Sequence, residues 1–135
     1  MKECKQNGDF PFIKIKSHIY NKLIDKGFAS VDLGWAVMEF ELHSALHHGE
    51  TKVDGLTEFD TKKIKLEMSL SDSDARETII HEIYHCMLEG LGLDERNFDG
   101  TRMFLTNEQL VVGLSKQSAI INKLNPGLFL LLYNA

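Results

Sequence analysis

Apolar and polar positions alternate in Phe12-Ile13-Lys14-Ile15-Lys16-Ser17, the period-two pattern of a strand with one wet face. The same strand is expected to continue through Ile19 and Tyr20. From Leu33 to His48 two periods compete: Trp35, Met38, Leu42 and Ala45 recur at helical spacing, while Ala36, Met38, Phe40 and Leu42 alternate as in a strand. The helical reading is adopted for this segment. Gly49 and Asp54-Gly55 supply turn chemistry around Glu50 to Val53, and Lys63-Ile64-Lys65-Leu66-Glu67-Met68 alternates again, which predicts two further strands.

Helices dominate the second half. Ser71-Asp72-Ser73-Asp74 offers capping oxygens, with Asp74 and Glu77 near the positive end of a helix running from about Ala75 to Glu89. Gly90 and Gly92 suit its termination. Thr106-Asn107-Glu108-Gln109 reads as a capping box, in which Thr106 caps and Gln109 reaches back. The helix it opens carries Leu110, Val111, Leu114, Ala119, Ile120 and Ile121 and stops at Asn125-Pro126-Gly127. The apolar tail Leu128 to Tyr133 is expected to pack on its own domain. These elements predict an α+β fold over residues 1–135 in a single domain, with a small mixed or antiparallel sheet of about three strands packed on two helices.

The length of 135 residues leaves little room for a second core, and 43% hydrophobic with 26% charged residues excludes a disordered or fibrous chain. A net charge of -5 gives no general footprint for nucleic acid. No apolar run is long enough to span a bilayer, and the N-terminal MKECKQNGDF does not resemble a signal peptide. With only Cys4 and Cys86, a disulfide scaffold is not expected, and the cytoplasm is the expected compartment. Trp35 and the eight phenylalanines read as core.

The chemistry concentrates in Thr78-Ile79-Ile80-His81-Glu82-Ile83-Tyr84-His85-Cys86-Met87, an H-E-x-x-H pattern. A separation of four residues puts His81 and His85 on one helix face, where two imidazoles reach one ion, and Glu82 is offset by about 100° beside it. Nitrogen donors favour Zn²⁺, with Fe, Mn and Co also compatible. With 6 His and 11 Glu in the chain, shuffling yields the pattern about 0.02 times, so chance is a weak competitor.

A catalytic zinc usually takes three protein ligands. No histidine follows His85, so a carboxylate is expected unless an upstream histidine folds over, and Glu108 in the first turn of the next helix is the choice. The loop carboxylates Asp94, Glu95 and Asp99 are alternatives. A second metal at His43, His47 and His48 is given little weight, because no acidic residue stands between them in the catalytic position. Tyr84 and His18 are the candidate oxyanion donors, and Lys62, Lys63 and Lys65 read as an exposed strand face.

The stretch Ile64-Lys65-Leu66-Glu67, then Ser71 onward and Glu77-Thr78-Ile79-Ile80-His81-Glu82-Ile83-Tyr84-His85, resembles the small zinc metallopeptidase domains of phages and bacterial mobile elements, of the ImmA/IrrE type and akin to minimal gluzincins. The resemblance covers roughly Lys14 to Asn125, with the H-E-x-x-H helix and its approach as its specific part. It implies a zincin-like fold in which an edge strand, Lys62 to Met68 or Glu50 to Val53, pairs with an extended peptide. It also implies Zn²⁺ held by His81, His85 and Glu108, with Glu82 activating a water for peptide-bond hydrolysis of a protein substrate of regulatory type. The gluzincin Asp that supports a histidine has no counterpart here, because Val111 and Val112 stand at the corresponding place. The competing class is a non-catalytic zinc-containing binding or regulatory module. Glu82 favours catalysis, since a purely structural site has no use for a carboxylate beside an open metal position.

Overall fold

The computed structural model describes residues 5–7, 17–93 and 105–133. The expected strand from Phe12 to Lys16 and the loop carboxylates Asp94, Glu95 and Asp99 lie outside the described residues. In chain order the elements are β1 (Lys5–Asn7), α1 (His18–Asp25), β2 (Ser30–Asp32), β3 (Val37–His43), β4 (His47–His48), β5 (Thr51–Lys52), β6 (Gly55–Glu58), β7 (Lys63–Glu67), α2 (Asp72–Gly90), α3 (Asn107–Leu124) and α4 (Leu128–Tyr133). The architecture is α+β. Its mixed sheet has the order β1-β3-β7-β6 with β2 also on β3, and β4 and β5 form a separate two-stranded ribbon.

Ile19 and Tyr20 belong to α1 and not to a strand. The Ser17 side chain accepts from the Ile19 N–H and caps the helix, and Ile19, Tyr20 and Leu23 form its buried stripe. Asp72, at the start of α2, accepts from the same N–H at 2.6 Å and from the Ser17 hydroxyl at 3.1 Å. One carboxylate therefore fastens the beginnings of two helices. Burial works against its charge, but these two donors and the neighbouring Arg76 hold its pKa below the ordinary value.

The segment from Leu33 to His48 corrects the helical reading: its centre is β3, parallel to β1 and β7 and antiparallel to β2. Met38, Phe40 and Leu42 point into the core from one face, and Glu39, Glu41 and His43 occupy the other. The ambiguity is resolved by pairing, because a strand with neighbours on both sides satisfies its main-chain groups without helical bonds. With β3 extended, the His43, His47 and His48 set loses its helical spacing.

Ile64 and Leu66 of β7 join Met38, Phe40 and Leu42 in one core with Ile79, Ile83 and Cys86 of α2 and Leu128 and Leu132 of α4. Fully burying each large side chain stabilises the fold by about 1.5–3 kcal/mol. The apolar tail thus packs on its own chain. Trp35, expected in the core, is instead exposed at its surface, with its ring centroid 6.1 Å from that of Phe59.

On the opposite sheet face, Lys63 pairs with Glu41 at 3.0 Å and Lys65 with Glu58 at 2.9 Å, so these lysines are the cationic half of an ion-pair ladder. The capping box at Thr106 and Gln109 forms as predicted. No described helix is long and apolar enough to cross a membrane.

Candidate metal centre

The nineteen-residue α2 begins at Asp72, after the Ser71 cap and three residues ahead of the expected start, and runs beneath β6 and β7. Ala75, Ile79, Glu82, Ile83, Cys86 and Met87 form its buried side. His81 and His85 lie one turn apart along the border of that side, their Nε2 atoms 3.1 Å apart and their ring planes at 70°. Two nitrogens bound to one tetrahedral zinc at 2.0–2.1 Å stand about 3.3 Å from each other. The observed spacing therefore fits a shared ion.

Glu82 is 5% exposed, whereas the His81 side chain is 67% exposed. Glu82 turns toward the sheet, where the Thr57 hydroxyl donates to its Oε1 at 2.8 Å. Its Oε2 lies 3.9 Å from His81 Nε2. One carboxylate oxygen is thus fixed by a donor while the other faces the imidazole pair. Among the described residues, His81, Glu82 and His85 are the group of three metal-type ligands whose donor atoms converge, all within 4.8 Å of one another.

The approach of β6 to α2 depends on a missing side chain. A Cβ on Gly55 would stand 2.7 Å from Thr78 Cγ2 and 3.1 Å from Glu82 Cγ and Oε2. Glycine at this position lets the strand lie against the helix at the level of Glu82. Neither Gly55 nor Thr57 was identified from the sequence. Asp54-Gly55 reads as a turn, and Leu56-Thr57-Glu58 does not alternate apolar with polar, because its front-facing positions address the site and not the core. The β-prone Thr57 and Phe59 were the available signal.

The sheet edge beside the site is β6. This corrects both sequence expectations: β7 lies inside the sheet between β3 and β6, and Thr51–Lys52 belongs to the ribbon with His47–His48. β6 pairs antiparallel with β7, and Asp54 accepts from the Glu67 N–H at 2.8 Å. The alternation of antiparallel bonding then directs the main-chain groups of Leu56 and Glu58 toward β7 and those of Gly55 and Thr57 outward. Among the described residues no strand pairs with this outer edge.

Two clefts meet at the centre. One, of about 530 Å³, is lined by Val53, Asp54, Gly55, Asp74, Glu77 and Thr78 together with His81 and Glu82. The other, of about 610 Å³, runs along Leu56 to Thr61 and includes His48, His81, Glu82 and His85.

Glu108 lies in the first turn of α3, exposed to solvent. That helix meets the end of α2 where a Cβ on Gly113 would touch Leu91 and one on Gly90 would touch Gln117. Glu108 stands outside the converging group. Tyr84 and His18 do not line either cleft: the Tyr84 hydroxyl lies 3.5 Å from that of Tyr133, and His18 is an exposed residue opening α1. His43 is buried against Glu41 at 2.7 Å.

No family model, curated protein or solved structure matches this chain.

Proposed function

We propose that the protein is a zinc-dependent metallopeptidase of zincin-like architecture, hydrolysing peptide bonds in a protein substrate. The observation that carries this reading is the division of labour within one helical turn: two solvent-facing imidazoles with converging Nε2 atoms, and between them a buried carboxylate held at one oxygen by Thr57. A structural zinc site would be closed by four protein ligands. This one faces two clefts and a strand edge with which no strand pairs among the described residues.

His81 and His85 would hold the metal, and Glu108, which stands outside their converging group, would complete it only by moving toward them from the first turn of α3. A bound divalent metal supplies Lewis acidity toward the scissile carbonyl and makes a coordinated water acidic near neutral pH. Glu82 accepts the proton from the attacking water and delivers it to the departing amine. Thr57 aims that carboxylate by occupying Oε1. The outward main-chain groups of Gly55 and Thr57 hold the substrate extended beside the reacting carbonyl, as an added strand. The sequence resemblance to the ImmA/IrrE-type enzymes supports the same reading, with a regulatory protein as substrate.

The experiment is metal content by elemental analysis of untagged protein, paired with hydrolysis of an unfolded protein substrate. Wild type should carry one zinc per chain and cleave, His81→Ala should carry none, and Glu82→Gln should keep zinc and lose cleavage. Zinc uptake with no cleavage by wild type would leave a metal-containing binding module in place of the enzyme.

A further inference from the structure

The cleft that holds both imidazoles of the candidate centre is also lined by a third histidine, His48. His48 is not a member of the converging group of His81, Glu82 and His85. It therefore borders the space beside those ligands without entering their set. Apart from His81 and His85, the lining side chains of this cleft that carry an N–H or O–H donor are His48, Thr57 and Thr61. The Thr57 hydroxyl donates to Glu82 at 2.8 Å and the Thr61 hydroxyl to Glu58 at 3.1 Å. The His48 ring is exposed and makes no hydrogen bond or ion pair among the described residues. It is the one uncommitted side-chain donor in that lining. The other histidines outside the centre differ: His43 is held by Glu41 at 2.7 Å, the His47 ring lies 2.6 Å from the Ala45 carbonyl, and His18 lines neither cleft.

The ribbon of β4 and β5 sets the position of His48. His48 stands opposite Thr51, and the two-residue turn between them has Gly49 at φ +63, a conformation open to glycine. The base of the ribbon is tied to the sheet: the Val53 N–H donates to the Leu46 carbonyl at 3.0 Å, and the buried Leu46 donates its own N–H to the Glu67 carboxylate at 2.8 Å. Ala45 enters the ribbon at φ +54, which a residue with a Cβ disfavours. Such strain persists only where surrounding contacts over-determine it.

We propose that His48 is a further catalytic residue, whose ring N–H donates to the oxygen of the scissile carbonyl. The assignment rests on the peptidase reading. As the water oxygen bonds to the carbonyl carbon, the C=O electron pair moves onto the carbonyl oxygen, and His48 stabilises that charge while keeping its own proton. The pair then returns and the C–N bond breaks. The amine leaves with the proton that Glu82 took from the water, and the second water proton stays on the new carboxyl group.

The test compares wild type, His48→Ala and His48→Gln, the last keeping an N–H donor. Zinc content and urea midpoint should be the same in all three, because His48 is exposed and outside the ligand set. Acetohydroxamate is titrated calorimetrically into each zinc-loaded protein, its two oxygens taking the places of the attacking water and the carbonyl oxygen. His48→Ala should bind it about ten-fold more weakly, and His48→Gln should recover most of that loss. On an unfolded protein substrate, His48→Ala should lower kcat about one-hundred-fold with KM within about two-fold of wild type.

Equal hydroxamate affinity or equal kcat in wild type and His48→Ala would overturn the proposal, as would a loss borne by KM alone. Loss of zinc from His48→Ala would also overturn it, by making His48 a metal ligand. Wild type that carries zinc but neither binds hydroxamate nor cleaves would overturn the peptidase reading itself, and the role of His48 with it.

Discussion

Thr57 and Glu82, 25 positions apart in the chain, are joined by a hydrogen bond of 2.8 Å between the edge strand and the H-E-x-x-H helix. The strand holds Oε1 and leaves Oε2 3.9 Å from His81 Nε2, so in the proposed reaction Oε2 is the oxygen that would carry the proton. Thr57→Val keeps the shape of the side chain and removes the donor. Because a hydrogen bond to a charged group contributes about 1.5–3 kcal/mol, turnover should fall about ten- to one-hundred-fold. Zinc content should not change, and Thr57→Ser should restore most of the rate. Kinetics and elemental analysis on the same preparations check this, and a Thr57→Val protein that loses zinc would contradict it.

Gly55→Ala should be destabilising although a strand ordinarily tolerates alanine. The new Cβ would press on Thr78 Cγ2 at 2.7 Å and on Glu82 at 3.1 Å, an overpacking cost of about 1–3 kcal/mol. The measurement is the urea midpoint, with Gly55→Ala combined with Thr78→Ser as the control. Removing the obstructing methyl should recover a substantial part of the loss, and strict additivity of the two changes would place the strain elsewhere.

Glu108→Ala tests the third ligand. Loss of one of three protein donors should weaken zinc binding by at least about ten-fold, measured by competition with a chromophoric chelator. Unchanged affinity would remove Glu108 from the centre and turn attention to Asp94, Glu95 and Asp99.

Stability should depend on acid through three buried or half-buried carboxylates. Burial opposes the charge of Glu67, but the Leu46 N–H, the Ser69 hydroxyl and the Ser69 N–H more than offset it and hold its pKa below the ordinary 4.5. For Glu41 burial is likewise outweighed, by hydrogen bonds with Lys63 and His43. Asp72 is lowered in the same sense. A group whose pKa is depressed by folding contributes stability above its unfolded value and loses it as pH falls through the folded one. Urea midpoints should therefore hold near neutrality and decline below about pH 4.5. Glu67→Gln should be less stable at pH 7 and show a shallower decline in acid, and an unchanged slope would mean that Glu67 does not contribute to the transition.

The local content of the chain was legible in several stretches where one period dominated, although Ile19 and Tyr20, expected to extend a strand, belong to α1. Lys63 to Met68 became β7, the Ser71 and Thr106 caps opened α2 and α3, and His81, Glu82 and His85 fell together because their proximity is a property of a single helix. Short-range bonding and helical geometry need no neighbours to act. Where two periods were superposed, as from Leu33 to His48, the residues could not decide between them. β1, β2 and β7 decided it by supplying partners to the main chain of β3. The edge strand was invisible for a related reason: Gly55 and Thr57 are chosen for what they meet on α2, a close approach and a carboxylate, and not for burial in the core. The sequence alone thus determined that two imidazoles and a carboxylate share a helix. Only the tertiary structure decided that β6 is the strand beside them and which oxygen of Glu82 it holds, because each depends on contacts between segments far apart in the chain.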